Sequence, residues 1–430
     1  MSGYRSTDRS FLAETIAIGS ELLVGGRSDS NSLFIAELLG SLGIEVRFKS
    51  IVGDDRHDIV QVIRTAVRRA GVVVMTGGLG PTVDDCTREA VAALTGRRLV
   101  RRKEALDQIT RWLAQRGRLP NKGQLRQARV PAGAEVLPNL VGSAPGFALY
   151  WKGTWLIALP GVPAEMQAIM QQSVVPLLTA RLVRSVPRAP SPILRLVFHT
   201  WGLPEAEVDA KLRGLIPPRS AIALGLLASP MGVLVSLTAK GDAGSRHHLM
   251  EALQEDVRRR LGDWIFAEGN DSMEAVVGQL LLKEGLTVAV AESCTGGLIT
   301  HRLTHIPGSS AYVDRGVVCY SNRAKIDLLG VPADLIATHG AVSREVAAAM
   351  ARGIRQRAAV AIGLSVTGIA GPGGATETKP VGLVYVGLDG GEPEVVTQEF
   401  RFHGDRVAIQ QRSSQAALDL LRRWLIKKNQ

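Results

Sequence analysis

Aromatic side chains are scarce in this sequence: 8 Phe, 5 Tyr and 6 Trp make up 4% of its 430 residues. That scarcity argues against a surface that stacks single-stranded nucleic acid on successive rings. Cysteine is scarcer still. Cys86, Cys294 and Cys319 form no CxxC pair and no Cys/His spacing, which argues against a disulfide framework or a zinc site and fits a reducing cytosol. No apolar run approaches the roughly 18 residues of a membrane span, and the opening MSGYRSTDRS lacks the apolar centre of a signal peptide. A soluble cytoplasmic protein with no membrane partner is expected.

What the chain does contain is ordinary globular composition, 46% hydrophobic and 21% charged, with 46 glycines suited to tight strand-to-helix turns. Its length suggests about three domains at roughly 150 residues each. The charge balance, 51 − 40 = +11, is compatible with anionic partners. The basic residues lie in short groups such as Arg101 to Lys103 and Arg258 to Arg260, which read mostly as solvated helix faces.

Periodicity divides the chain. A polar tail over 1–11 precedes strand–helix alternation: AETIAIGSELLV as a buried strand and turn, a helix over 31–42, EVRFKSIVG as a strand, and GVVVMTGG as a continuous apolar strand. Between the last two lies a helix with Ile59, Val62, Ile63, Ala66 and Val67 on one face. This domain is set at 12–172. A smaller α+β segment follows over 173–265, and a second α/β domain over 268–430. The expected fold class is α/β: two three-layer domains with mostly parallel sheets, joined by a small linking segment.

Two constellations sit where such sheets place ligands, at the carboxyl ends of strands. In TGGLGPTVDDCT, Gly77, Gly78 and Gly80 let backbone N–H groups approach an anion, and Thr76 and Thr82 add hydroxyls. Asp84 and Asp85, with Asp54 and Asp55 from the neighbouring VGDDR, bring negative charge to a phosphate-friendly place. A divalent cation between carboxylate and phosphate reconciles the two. The plain alternative is a helix cap and a glycine turn.

TGGLGPTVDDCT, IGSELLVGGRSDSN, VGDD, PNLVGSAPGF and LPGVPAEM together resemble the molybdopterin-binding fold found at the N-terminus of CinA-type competence/damage-inducible proteins. The resemblance covers residues 12–170. It implies metal-dependent hydrolysis of ADP-ribose, with Asp54, Asp84 and Asp85 serving metal (Mg, Mn or Co) and pyrophosphate, and Glu21, Asn31, Gly77, Gly78 and Thr82 lining the pocket. The same fold also binds molybdopterin in other proteins.

The second constellation is AESCTGG with YSNRAK and VTGIAGPGG. Ser293 and Cys294 are rival nucleophiles at a strand-to-helix turn, where N–H groups from Cys294 through Thr295 and Gly296 to Gly297 suit an oxyanion. No histidine belongs to these motifs, so Ser293 with Lys325 fits better than a Ser/His pair. A lysine of ordinary pKa near 10.4 is neutral in only about one molecule in 2,500 at pH 7, so burial must depress it. Tyr320 can orient the ammonium or relay its proton. Ser293 as a simple N-cap, Lys325 as a surface residue and Tyr320 as core packing are the competing readings.

AESCTGG, PGSSAYVDRGVVCYSNRAK, SVTGIAGPGG, KPVGLVYVG and FHGDR resemble the C-terminal domain of CinA proteins, which also occurs alone as the PncC-type nicotinamide mononucleotide deamidase. The resemblance implies a Ser293/Lys325 dyad with Tyr320 beside it, and Ser310, Thr367, Gly368 and Arg406 near the substrate. No cofactor is expected at this site. The nucleotides nicotinamide mononucleotide and ADP-ribose, and a second copy of the chain, are the implied partners. The middle segment resembles the KH-like insert of such proteins, and is assigned a linking or dimerising role because a GxxG clamp for nucleic acid is taken to be missing between 171 and 262.

Overall fold

Strands β1 (Leu12–Ile18), β2 (Glu45–Val52) and β3 (Val72–Thr76) run parallel, with β1 between its two neighbours. Alternate residues of β3 feed opposite cores: Val73 and Met75 pack on one face, Val72 and Val74 on the other. That alternation makes three layers, because a strand buried on both sides needs helices on both. The helix Arg56–Arg69 shows the fit of pattern to packing, with Ile59, Ile63 and Ala66 fully buried and Val62 and Val67 partly so.

The computed structural model describes residues 9–25, 28–183, 193–217, 220, 222–239 and 243–428. The chain divides into two compact units, residues 1–194 with 238–248, and residues 195–237 with 249–430. In the first unit a two-stranded sheet, β4 (Leu99–Arg101) with β5 (Arg129–Pro131), accompanies the main sheet. Strands β6 (Glu135–Leu137), β7 (Gly146–Trp151) and β8 (Thr154–Leu159) complete the order β2-β1-β3-β8-β7-β6. The β3–β8 pair is parallel, and the last two pairings are antiparallel.

Two expected boundaries move. Residues 1–8 of the tail lie outside the described residues, whereas Phe11 is buried in the core and Arg9 hydrogen-bonds Thr154 Oγ1 at 2.9 Å, so the domain begins before residue 12. At the other end the helical run that starts at Pro163 continues to Val183. Val174, Leu177, Leu178 and Leu182 fill the same core, which carries the domain past 172. A helix cannot end where its apolar face is still needed.

In the second unit β9 (Leu194–Thr200), β10 (Ile222–Ser229), β11 (Gly232–Ala239) and β12 (Ile265–Glu268) form a sheet in the order β10-β11-β9-β12, with helix Glu205–Leu212 after β9. The assumption of a missing GxxG is wrong on the sequence itself: Gly241, Asp242, Ala243 and Gly244 have that spacing. Residues 240–242 lie outside the described residues. The remaining sheet joins β13 (Val288–Glu292), β14 (Val313–Val318), β15 (Ile362–Gly368), β16 (Leu383–Asp389) and β17 (Val396–Arg401) in the order β14-β13-β15-β16-β17. β14, β13 and β15 are parallel, and β16 and β17 add antiparallel pairings.

Candidate active sites at two sheet switch points

In both parallel arrangements the chain leaves a central strand to one side and returns on the other, opening a crevice at the carboxyl ends. At β1 this crevice is a cleft of about 610 Å³ formed by the loops after β1, β2, β3 and β8. Glu21, Asp54, Gly77, Gly78, Thr82, Asp84 and Asp85 all line it, as expected. Gly77 is required for a local reason: its φ is +111°, and a Cβ there would lie 2.0 Å from the Ile18 carbonyl oxygen.

Asp85 has a structural task that its spacing does not reveal. Its carboxylate accepts the N–H of Gly80 (2.8 Å), the N–H of Thr82 (2.8 Å) and the Thr82 hydroxyl (2.5 Å), which ties down the glycine loop and occupies both oxygens. The Gly77 N–H is likewise spent on the Leu159 carbonyl, at 3.0 Å. Asp55 caps helix Arg56–Arg69, accepting from His57 and Asp58 N–H, and so is removed from the metal argument. Asn31 is not in the cleft wall. It is buried behind it, and its amide donates to Thr76 Oγ1 (3.0 Å) and the Gly161 carbonyl (2.8 Å), a tie that fixes the loop after β8.

Glu165, absent from the sequence reading, completes the wall. Burial pushes its carboxyl above the ordinary range, against the opposing effect of a hydrogen bond from Asn139 Nδ2 at 2.6 Å. Among the described residues the cleft is thus lined by five carboxylates (Glu21, Asp54, Asp84, Asp85, Glu165) and by no lysine or arginine. Among the described residues no group of three or more His, Cys, Asp or Glu is arranged to hold a metal. Asp54, one of whose oxygens accepts the Ser20 N–H, and Asp84 fit the other mode, in which magnesium takes one or two carboxylates and completes its shell with substrate phosphates and water.

The second crevice, about 230 Å³, lies at the ends of β13, β14 and β15. Ser293 follows β13 directly, and Lys325 comes from the helix Asn322–Leu329 after β14. Lys325 Nζ is 3.0 Å from Ser293 Oγ, 2.9 Å from the Cys319 carbonyl and 3.3 Å from the Tyr320 carbonyl. Only 1% of Lys325 is exposed, and burial lowers its pKa from the ordinary value. With two N–H bonds held by main-chain carbonyls, a neutral amine turns its lone pair toward the serine hydroxyl. Neither the N-cap nor the surface reading survives. Gly297, not Ser293, stands at the N-cap of the helix Leu298–Thr304 that follows β13, and Lys325 is buried.

Cys294 lines the pocket but belongs to the hydrophobic core, and complete burial pushes its thiol up to about 12, so it stays unreactive at neutral pH. Thr367 donates its hydroxyl to the Ala341 carbonyl at 2.8 Å, and Gly368 forms the wall beside it. Arg406 donates to the Gly371 carbonyl (2.7 Å) and to the Tyr320 hydroxyl (3.2 Å). Tyr320 therefore reaches Lys325 through its carbonyl and not its phenol, and the residue is 61% exposed. Of its two expected roles, the carbonyl contact fits orienting the ammonium, while the phenol meets Arg406. Ser310 is outside the pocket: it is an exposed residue in the turn Ser309–Ala311 just before β14, at the opposite end of the strand whose exit forms the site.

The oxyanion expectation is also narrowed. The helix begins at Leu298, and buried Glu292 accepts from the N–H groups of Gly297 (3.0 Å), Ile299 (3.1 Å) and Thr300 (2.8 Å) and from the Thr300 hydroxyl (2.8 Å). Gly296 N–H donates to the Ser293 carbonyl at 3.2 Å. This leaves the N–H groups of Cys294 and Thr295 for a developing oxyanion. Glu292 lies inside the quoted AESCTGG motif, yet nothing in spacing distinguishes it from a strand residue. Glu292→Ala is expected to destabilise the second unit by about 3 kcal/mol, since four donors lose their acceptor in a buried place, and a lowered denaturant midpoint would register it.

Comparison with known proteins gives the same domain order. Residues 14–180 match a probable molybdopterin binding domain, 195–267 the damage-inducible protein CinA KH domain, and 270–425 the CinA C-terminal domain. A putative competence-damage inducible protein of Caldicellulosiruptor saccharolyticus is 41% identical over 96% of this chain and 99% of its own length. The chain belongs to the CinA family. A CinA-like protein of Geobacter sulfurreducens is 43% identical over 96% of this chain and 98% of its own. Among solved structures, competence/damage inducible protein CihA from Agrobacterium tumefaciens is 42% identical over 37% of this chain and 98% of its own, with a TM-score of 0.34. For this CinA-family chain, no helix of the described residues is long and apolar enough to cross a membrane.

Proposed function

We propose that this CinA-family protein is a bifunctional pyridine-nucleotide hydrolase, deamidating nicotinamide mononucleotide at the second crevice and cleaving ADP-ribose at the first. The observation that carries the deamidase reading is the buried Lys325 Nζ at 3.0 Å from Ser293 Oγ, with no histidine among the described residues of the pocket wall. A nucleophile and base within hydrogen-bond reach, the base oriented by further groups, is the arrangement covalent acyl transfer needs.

Lys325 takes the Ser293 proton as Oγ bonds to the carboxamide carbon, and the N–H groups of Cys294 and Thr295 receive the oxyanion. The C–N bond then breaks, with the proton passed from Lys325 to departing ammonia. Water hydrolyses the nicotinoyl ester by the reverse proton movement, giving nicotinate mononucleotide. The 371–374 glycine loop and Arg406, whose head group lies at the pocket, suit the phosphate of the mononucleotide.

At the first crevice the five carboxylates among the described lining residues support pyrophosphate binding together with a divalent ion, which would neutralise the phosphates and polarise the scissile bond. Asp54 and Asp84 would hold it, while Asp85 keeps the loop in shape. A second reading, binding of a nucleotide or pterin without hydrolysis, is favoured by the lack of a closed ligand cage among the described residues.

Incubation of the full chain with nicotinamide mononucleotide should release ammonia and nicotinate mononucleotide without added metal. ADP-ribose should yield AMP and ribose 5-phosphate with magnesium, manganese or cobalt and none after chelation. Failure of the first reaction overturns the deamidase reading. Binding of ADP-ribose without cleavage selects the second reading for the first site.

A further inference from the structure

A third cavity, larger than either crevice, lies in the second unit between the β9–β12 sheet and the β13–β17 domain. It has about 700 Å³ and is lined by residues of both. In a chain with 14 Trp and Phe in total (6 + 8), four of them, Trp201, Trp264, Phe400 and Phe402, meet here, and each is only partly buried. Phe400 and Phe402 stack with ring centroids 5.3 Å apart, and Trp201 lies 6.4 Å from Phe402. Gly202, at φ +94°, keeps the chain close to Trp264, because a Cβ there would sit 3.3 Å from its ring.

The charged lining is uneven. Asp419 is committed to Arg422 (2.7 Å) and Arg423 (2.6 Å). Arg412, half-buried in the wall, has no hydrogen bond or ion pair among the described residues and is the free cation of the cavity. Gln398 adds an amide that can meet the edge of a base. Ring faces, a free guanidinium and a lone amide are three kinds of recognition that a nucleoside phosphate uses at once: base stacking, phosphate pairing and edge hydrogen bonding. An apolar core segment would use only the first, and would leave Arg412 buried without a partner.

We propose that this cavity is a binding site for a nucleoside monophosphate, separate from both crevices. Its occupant would be coupled structurally to the deamidase pocket by the helix Arg406–Lys428. Arg406 at its start touches Tyr320, Gln410 one turn on donates to the Cys294 carbonyl at 2.9 Å, and Arg412, Ala416 and Asp419 then face the cavity.

Calorimetric titration of the full-length Ser293→Ala protein with AMP tests the binding. The expected result is a saturable component that weakens at least tenfold in Arg412→Gln and in Phe402→Leu, while Asp84→Ala leaves that component in place. An AMP isotherm identical in the Arg412→Gln protein and its parent overturns the proposal. So does an isotherm abolished by Asp84→Ala, which would assign all binding to the first crevice. Because Arg412→Gln alters a half-exposed position, its thermal midpoint should match the parent, which separates lost binding from lost folding.

Discussion

Lys325→Arg is expected to reduce nicotinamide mononucleotide deamidation by about a thousandfold, the scale of a lost general base, although the cation and its reach are nearly kept. Arginine stays protonated at any working pH and cannot take the Ser293 proton. Ser293→Ala should fall at least as far, and combining the two should cost little more, since residues that act as a unit are not additive. Undiminished ammonia release in either variant sinks the dyad. In the parent enzyme kcat/KM should rise with pH through a pKa below 10.5, because burial lowers the Lys325 value and only the neutral amine is a base. The stability sign is the same. Between the folded and unfolded pKa values the unfolded chain binds more protons, so stability increases with pH across that window.

Asp85→Ala is expected to lower kcat/KM for ADP-ribose hydrolysis about a hundredfold, by releasing the three donors of Gly80 and Thr82 that its carboxylate now gathers. The measurement that separates an anchor from a metal ligand is activity against divalent-ion concentration. As a loop-positioning residue, Asp85 should leave the half-saturating metal concentration unchanged in any residual activity while KM rises. Asp84→Ala should shift that concentration upward by at least tenfold. A metal requirement that moves with Asp85 instead would return it to the ion.

Much of both sites was readable because catalytic loops follow strands in a parallel sheet, and strand ends are marked by apolar runs that stop at glycine. GVVVM followed by TGGLG, and LTVAV followed by AESCTGG, therefore gave the loops and placed them at carboxyl ends. What spacing could not separate was residues of one chemistry with different tasks. Asp54, Asp55, Asp84 and Asp85 read as two equal pairs, yet one caps a helix, one anchors a loop, and two turn oxygens toward the cleft. Asn31 belongs to the right motif but points behind the wall, and Ser310 lies before β14 when the site lies after it. Glu165 and Glu292 were hidden for the converse reason, since their importance comes from burial against donors that are contributed by other segments.

The sequence by itself determined the strand–helix alternation, the two glycine loops, the choice of Ser293 and Lys325 over any histidine pair, and membership of the CinA family. The alternation, the loops and the choice of pair follow from local periodicity and residue type, which are properties of short stretches, and the family from the resemblance of its spaced motifs. Only the tertiary structure decided that Lys325 is buried at 3.0 Å from Ser293 Oγ, that Cys294 is a core residue, and that Asp85 holds a loop. Hydrogen-bond competition and desolvation settle such questions, and both depend on groups brought together from distant parts of the chain.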